Sequence, residues 1–168
     1  MKEAEWSGRR KRSAGIRGTV QYRSDQLHLP MIYAKAKQES KDFYQVLDYY
    51  LNLIRQLHLR TYDYLGEMKA STNPLAYCEG GFYGGHLGLY DKIKPLLKSA
   101  TASFGITALN ELQQLHNKKS LVEDGEFALE TLRYINEKIA EFKKEDGSSM
   151  PLRNSGRKSV RRSGTAVP

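Results

Sequence analysis

A single cysteine in 168 residues excludes a disulfide framework within the chain and a multi-cysteine zinc site. No run of roughly eighteen apolar residues occurs, which excludes a transmembrane helix. Met1 to Arg12 is charged but has no apolar stretch behind it, so a secretory leader is not expected. Acid is missing from the last stretch of the chain, and no internal repeat is visible. What remains is 39% hydrophobic and 27% charged, enough for the core of one ordinary domain or of a piece of something larger. The expected setting is reducing, soluble and cytoplasmic.

The net charge of +8 and a pI near 9.5 point first to nucleic acid. Its distribution points elsewhere. Residues 1–23 carry seven Lys or Arg against Glu3 and Glu5, a net of +5, and residues 147–168 carry five bases and no acid, again +5. Residues 24–146 have a net charge of −2, the balance of an ordinary globular sequence. The ends carry no hydrophobic periodicity: after Met150 the only large apolar residues are Leu152, Val160 and Val167. Such segments bury too little to offset chain entropy and are expected to be disordered. The division is therefore 1–23, a basic segment, 24–147, the folded part, and 148–168, a basic tail.

Within the folded part the pattern is mixed. Leu27 to Tyr33 is a short apolar stretch, expected as an edge strand because of Pro30. Ser40 is the expected N-cap of a long helix, with Phe43, Val46, Leu47, Tyr50, Ile54 and Leu57 on one face and Gly66 as its stop. Leu75 to Cys78 reads as a short strand after the Asn73-Pro74 break. Asp91 is placed to cap a short helix through Lys98, with Pro95 tolerated near its start. Thr101 to Ile106 reads as a buried strand, and Thr107 as the cap of a helix through His116. Ala128, Leu132, Ile135, Ile139 and Phe142 stripe a helix from about Glu126 to Lys144, ended by Gly147. Helices alternating with short apolar strands make a helix-rich α/β fold.

Few residues here carry chemistry on spacing alone. His28, His58, His86 and His116 are scattered, without an i,i+4 pair or neighbouring ligands, so helix-face or surface histidines explain them better than a metal site does. Gly80-Gly81-Phe82-Tyr83-Gly84-Gly85 lacks the Gly-Lys-Ser/Thr ending of a phosphate loop, and its aromatics would crowd a pyrophosphate. A turn that needs positive φ or close backbone approach is the better reading. Cys78, with Glu79 beside it, reads as a small buried hydrophobe rather than a reactive thiol. Glu123-Asp124 is a solvated helix start. The tails could hold phosphate backbones through counterion release, but beyond Trp6 and Tyr22 they have no aromatics for base stacking.

Two ordered stretches go further. Ser71-Thr72-Asn73-Pro74-Leu75-Ala76-Tyr77-Cys78-Glu79-Gly80-Gly81-Phe82 and Ile93-Lys94-Pro95-Leu96-Leu97-Lys98-Ser99-Ala100-Thr101-Ala102-Ser103-Phe104-Gly105-Ile106-Thr107-Ala108-Leu109-Asn110-Glu111-Leu112 closely resemble the anaerobic, glycyl-radical (class III) ribonucleoside-triphosphate reductases. The likeness runs from about Ile32 to Gly147, roughly two thirds of the chain, with Arg17-Gly18-Thr19 as a looser match and Tyr22 to Leu29 departing from the family. It implies a slice of that family's ten-stranded α/β barrel. It also implies an oxidoreductase parent that reduces ribonucleoside triphosphates to deoxyribonucleoside triphosphates for DNA synthesis. The parent uses a glycyl radical raised by a radical-SAM activase, formate, a structural zinc and ATP or dNTP effectors, and it works as a homodimer. Cys78 does not occupy the family's radical-cysteine motif, and the radical glycine and zinc cysteines have no counterpart here. No catalytic residue, metal ligand or cofactor is therefore expected in this chain. Asn73, Cys78, Glu79, Gly80 and Gly81 are the loop candidates for substrate binding.

Where the family continues into a Tyr-Gly-Thr-Pro-Ala-Glu turn, this chain has Leu152-Arg153-Asn154-Ser155-Gly156-Arg157-Lys158. Back-translating Leu152 to Pro168 with permitted codons and reading one base later spells YGTPAESLCGAQVQQF, the family-like continuation. The tail is accordingly expected to be frame-shifted, and the Tyr-Gly-Thr-Pro-Ala-Glu turn, whose amides would hold substrate phosphates, to be lost with it. The leading expectation is an inactive fragment of the reductase. A small basic nucleic-acid-binding protein using both Arg-rich tails is the alternative, and a regulatory subunit pairing with a full-length reductase the third.

Overall fold

The computed structural model describes residues 21–81, 85–98, 100–146 and 152–154. Among the described residues three strands form one parallel sheet in the order β1 (Gln21–His28), β2 (Thr101–Thr107), β3 (Leu152–Asn154). Parallel neighbours need a crossover. The first runs through α1 (Leu29–Gln38), α2 (Phe43–Gly66), a 3₁₀ turn (Ala70–Thr72) and two short helices, α3 (Pro74–Tyr77) and α4 (Lys94–Leu97). The second runs through α5 (Leu109–Asn117) and α6 (Glu126–Glu145). The fold is helix-rich α/β, and the described strands make an open sheet rather than a closed barrel. β1 begins inside the basic first segment, and β3 lies inside the tail expected to lack regular structure. The sequence expectations for 1–20, Gly147 and the rest of the tail lie outside the described residues.

Side chains alternate across a strand, and β2 shows the consequence. Phe104 is fully buried and meets the His58 ring of α2 at 5.0 Å and the Phe142 ring of α6 at 6.4 Å. Leu47 and Leu51 of α2, and Ile135 and Ile139 of α6, complete the core on that face. Arg55 ties the two long helices together at one end. Its guanidinium bonds Asp146 at 2.5 and 3.0 Å and Glu145 at 2.6 Å, and it lies over the Phe142 ring.

Four local expectations between β1 and α4 need correction. The Leu27–Tyr33 strand is instead the end of β1 running into α1 at Leu29. Pro30 sits in the first helical turn, where its missing N–H costs nothing, and His28 caps that turn through Nδ1. The long helix is capped by Asp42, whose carboxylate accepts from the N–H groups of Tyr44 and Gln45, whereas Ser40 lies in the left-handed region at φ 52°. Leu75–Cys78 is helical rather than extended, because the Asn73 side chain accepts from the Ala76 N–H and Pro74 starts the turn. Asp91 does not cap α4. It closes a turn by accepting from the Gly88 N–H at 2.8 Å, and α4 begins two residues after Lys92.

Candidate functional site

Opposite the Phe104 face, β1 and β2 present small or polar residues. Ser24, Gln26 and His28 alternate along β1, and Thr101, Ser103, Gly105 and Thr107 along β2. Register pairs Ser24 with Ser103, Gln26 with Gly105 and His28 with Thr107. Ser103 Oγ donates to Ser24 Oγ at 3.2 Å and accepts from Gln21 Nε2. A Cβ on Gly105 would come within 3.1 Å of Gln26 Cγ, so glycine lets the glutamine lie across the strand. At the carboxyl end, Thr107 is not the helix cap. Its hydroxyl donates to the Leu27 carbonyl at 3.2 Å, and Ala108, at φ 61°, turns the chain into α5. A left-handed alanine costs about 1–2 kcal/mol, held here by the paired strands on one side and the helix on the other. Carboxyl ends of parallel strands are where α/β folds bind ligands. The His28–Thr107 end of this face is thus the geometric candidate.

Behind the sheet, an Arg23–Asp25 ion pair on β1 meets a neutral histidine of α2. Arg23 bonds Asp25 at 2.5 and 2.9 Å, and His58, fully buried, bonds Asp25 Oδ2 through Nε2 at 3.0 Å. Partial burial alone would lift the Asp25 carboxyl, but the Arg23 guanidinium, with help from His58, holds it below the usual range. Burial pushes the His58 imidazole down, and the upward pull of Asp25 does not offset it. His58 Nδ1 has no partner among the described residues, so the ring sits neutral with its proton on Nε2, donated to Asp25. Asp25 opens onto a groove of about 880 Å³ between β1, α1 and α2, lined also by Met31, Ile32, Tyr50 and Ile54.

The loop candidates stay together but apart from both features. Asn73 is spent on its own helix cap. Cys78 ends α3 and is half-buried against the core, and its carbonyl accepts from His86 Nδ1 at 3.1 Å. Glu79 is exposed, its N–H donating to the Pro74 carbonyl. Gly80 is at φ 83°, and a Cβ on Gly81 would lie 2.8 Å from the Leu75 carbonyl oxygen. Both glycines are therefore required by the turn itself. Among the described residues no three His, Cys, Asp or Glu side chains converge as metal ligands, and no helix is long and apolar enough to cross a membrane.

Residues 3–155 match the sequence profile of the anaerobic ribonucleoside-triphosphate reductases. The chain belongs to this family. No curated protein matches it. The reductase match starts well before Ile32, so it takes in most of the basic first segment, where Arg17-Gly18-Thr19 is the looser match, and the strand β1, whose residues Tyr22 to Leu29 depart from the family in the sequence resemblance. Both the polar sheet face and the Asn73–Gly81 loop lie within it. The Arg23–Asp25–His58 cluster escaped the sequence reading, although two signals for it were present. Arg-x-Asp on a strand places both charges on one face, and His58 falls at i+7 from Leu51 and four residues before Tyr62, on the buried stripe of α2.

Proposed function

We propose that this chain forms part of the catalytic barrel of an anaerobic ribonucleoside-triphosphate reductase, with the polar face of its sheet turned toward the ribonucleotide. The observation that carries this reading is the two-sidedness of a family-matched parallel sheet: helices pack on Phe104, while Ser24, Gln26, Thr107 and the Nε2 side of His28, whose Nδ1 caps α1, present hydrogen-bonding groups on the other side around a buried Ser103. A face of hydroxyls, an amide and an imidazole suits a ribose and its base better than an apolar ligand.

The chain by itself is an inactive part in this reading. Radical chemistry in the family needs a cysteine at the reacting carbon and a glycyl radical to oxidise it. The lone thiol, Cys78, is packed at the end of α3 outside the sheet face, and one cysteine cannot supply a zinc site as well. The residues present therefore do not fit those groups, and their own work is confined to binding and shape. Activase-treated chain given formate, a ribonucleoside triphosphate and an effector nucleotide should form no deoxyribonucleotide; product formation would overturn the reading. The out-of-frame origin of residues 152–168 belongs to the same proposal. It is tested by sequencing the coding DNA from the Glu126 codon past Pro168: a frame as translated sinks it, and one extra or missing base restoring YGTPAESLCG bears it out.

A further inference from the structure

Another cleft, of about 350 Å³, lies between the first turn of α2, the end of α5 and the start of α6. We propose that it binds an arginine residue presented by a basic peptide segment. Three features of its lining specify that ligand. Gln113 is fully buried, and its Oε1 accepts from the Ala128 N–H at 2.9 Å, which fixes which way the amide faces. Its Nε2 is left without a partner among the described residues. A buried donor in a polar cleft calls for an oxygen from whatever fills that cleft.

The second feature is charge. Glu126 and Glu130 stand one turn apart on α6, where like charges repel, and neither joins an ion pair among the described residues. The nearby Asp124 is already engaged by Asn117 Nδ2 at 2.8 Å and Lys119 Nζ at 3.8 Å. The third is aromatic lining: His116 stacks on Phe127 at 3.9 Å between centroids and 11° between planes, and Tyr44 also lines the cleft.

Together these discriminate among ligand classes. A phosphate or carboxylate would satisfy Gln113 but meet two glutamates that no ion pair among the described residues neutralises. A bare metal ion would satisfy the glutamates and leave Gln113 unpaired. A planar guanidinium fits two carboxylates beside aromatic rings, but it has no acceptor to offer Gln113. The carbonyl of the peptide that carries the guanidinium does. The volume suits one side chain and its backbone rather than a larger ligand.

The test uses the full chain, ¹⁵N-labelled, titrated with Nα-acetyl-arginine N-methylamide and followed by NMR, including the Gln113 side-chain amide. Saturable shifts centred on Gln113 and the start of α6 are expected. The neutral isostere Nα-acetyl-citrulline N-methylamide should bind at least tenfold more weakly, and Glu130→Gln or Glu126→Gln, both on the exposed surface, should each weaken the arginine probe threefold or more. Equal binding of the citrulline probe, indifference to both glutamine variants, or a Gln113 amide that contacts only a bound water while the probe leaves it unmoved would each overturn the proposal.

Discussion

His58 is the residue whose charge state matters most to this fold. It is neutral in the folded chain because burial outweighs the pull of Asp25, so its pKa lies below the ordinary 6.5. In the unfolded chain it takes up a proton at that ordinary value. A depressed pKa means stability that is intact above pH 6.5 and drains away as pH falls toward the folded value. Asp25, also depressed, adds a second loss below its ordinary 3.8. Melting temperature should therefore drop on going from pH 7.5 to pH 5, and His58→Gln, which keeps a donor for Asp25 but cannot titrate, should flatten that drop. Parallel curves for the two proteins would refute the assignment. Gly81 makes a steric prediction of the same scale. A methyl group there meets the Leu75 carbonyl oxygen, backbone that cannot swing away, so Gly81→Ala should cost about 1–3 kcal/mol in urea unfolding. An unchanged midpoint would mean that the turn can open without loss.

Among the elements, α2 carries the clearest test. Its cap is Asp42, with two backbone N–H groups on one carboxylate oxygen, and Asp42→Ala should cost about 1 kcal/mol. Ser40 caps nothing and sits at positive φ, so Ser40→Gly should be stabilising by up to about 1 kcal/mol. A thermal melt of both variants settles which residue starts the helix, since the opposite order would restore Ser40. That exchange shows where the sequence was legible. The long helices α2 and α6 could be read from spacing, because burial of one face imposes a period that most of the residues display, although Leu57 lies on the exposed side; β2 was legible as a run buried over its first five residues rather than by alternation. The short ones could not. Leu27 to Tyr33 and Leu75 to Cys78 are apolar runs too brief to distinguish strand from helix, and each is decided by a capping side chain, His28 within the first run and Asn73 before the second. The polar sheet face was hidden for a different reason. Ser24 pairs with Ser103 and His28 with Thr107 across nearly eighty residues, and only the register of the sheet brings them together.

At the scale of the whole molecule, the outward surface of α2 is the anomaly. Tyr49, Leu53, Leu57 and Tyr64 are 61%, 47%, 39% and 74% exposed, and they follow one another at helical spacing along a single stripe. Met31, 69% exposed, lies at the mouth of the groove beside β1, which is an edge strand among the described ones. A parallel sheet is ordinarily covered on both sides and at its edges. An apolar stripe next to an open edge is the surface expected where further barrel units of a reductase would pack, and it is a liability when nothing does. The isolated chain should accordingly self-associate through α2. Leu53→Glu with Leu57→Lys breaks the stripe at exposed positions, where substitution costs little, within about 0.5 kcal/mol each. The double variant should keep the melting temperature within a few degrees while its light scattering at elevated concentration falls. If scattering persists at the original rate with the fold intact, association runs through the β1 edge instead, and lysine at Gln26, exposed on that strand, would then be the substitution that suppresses it.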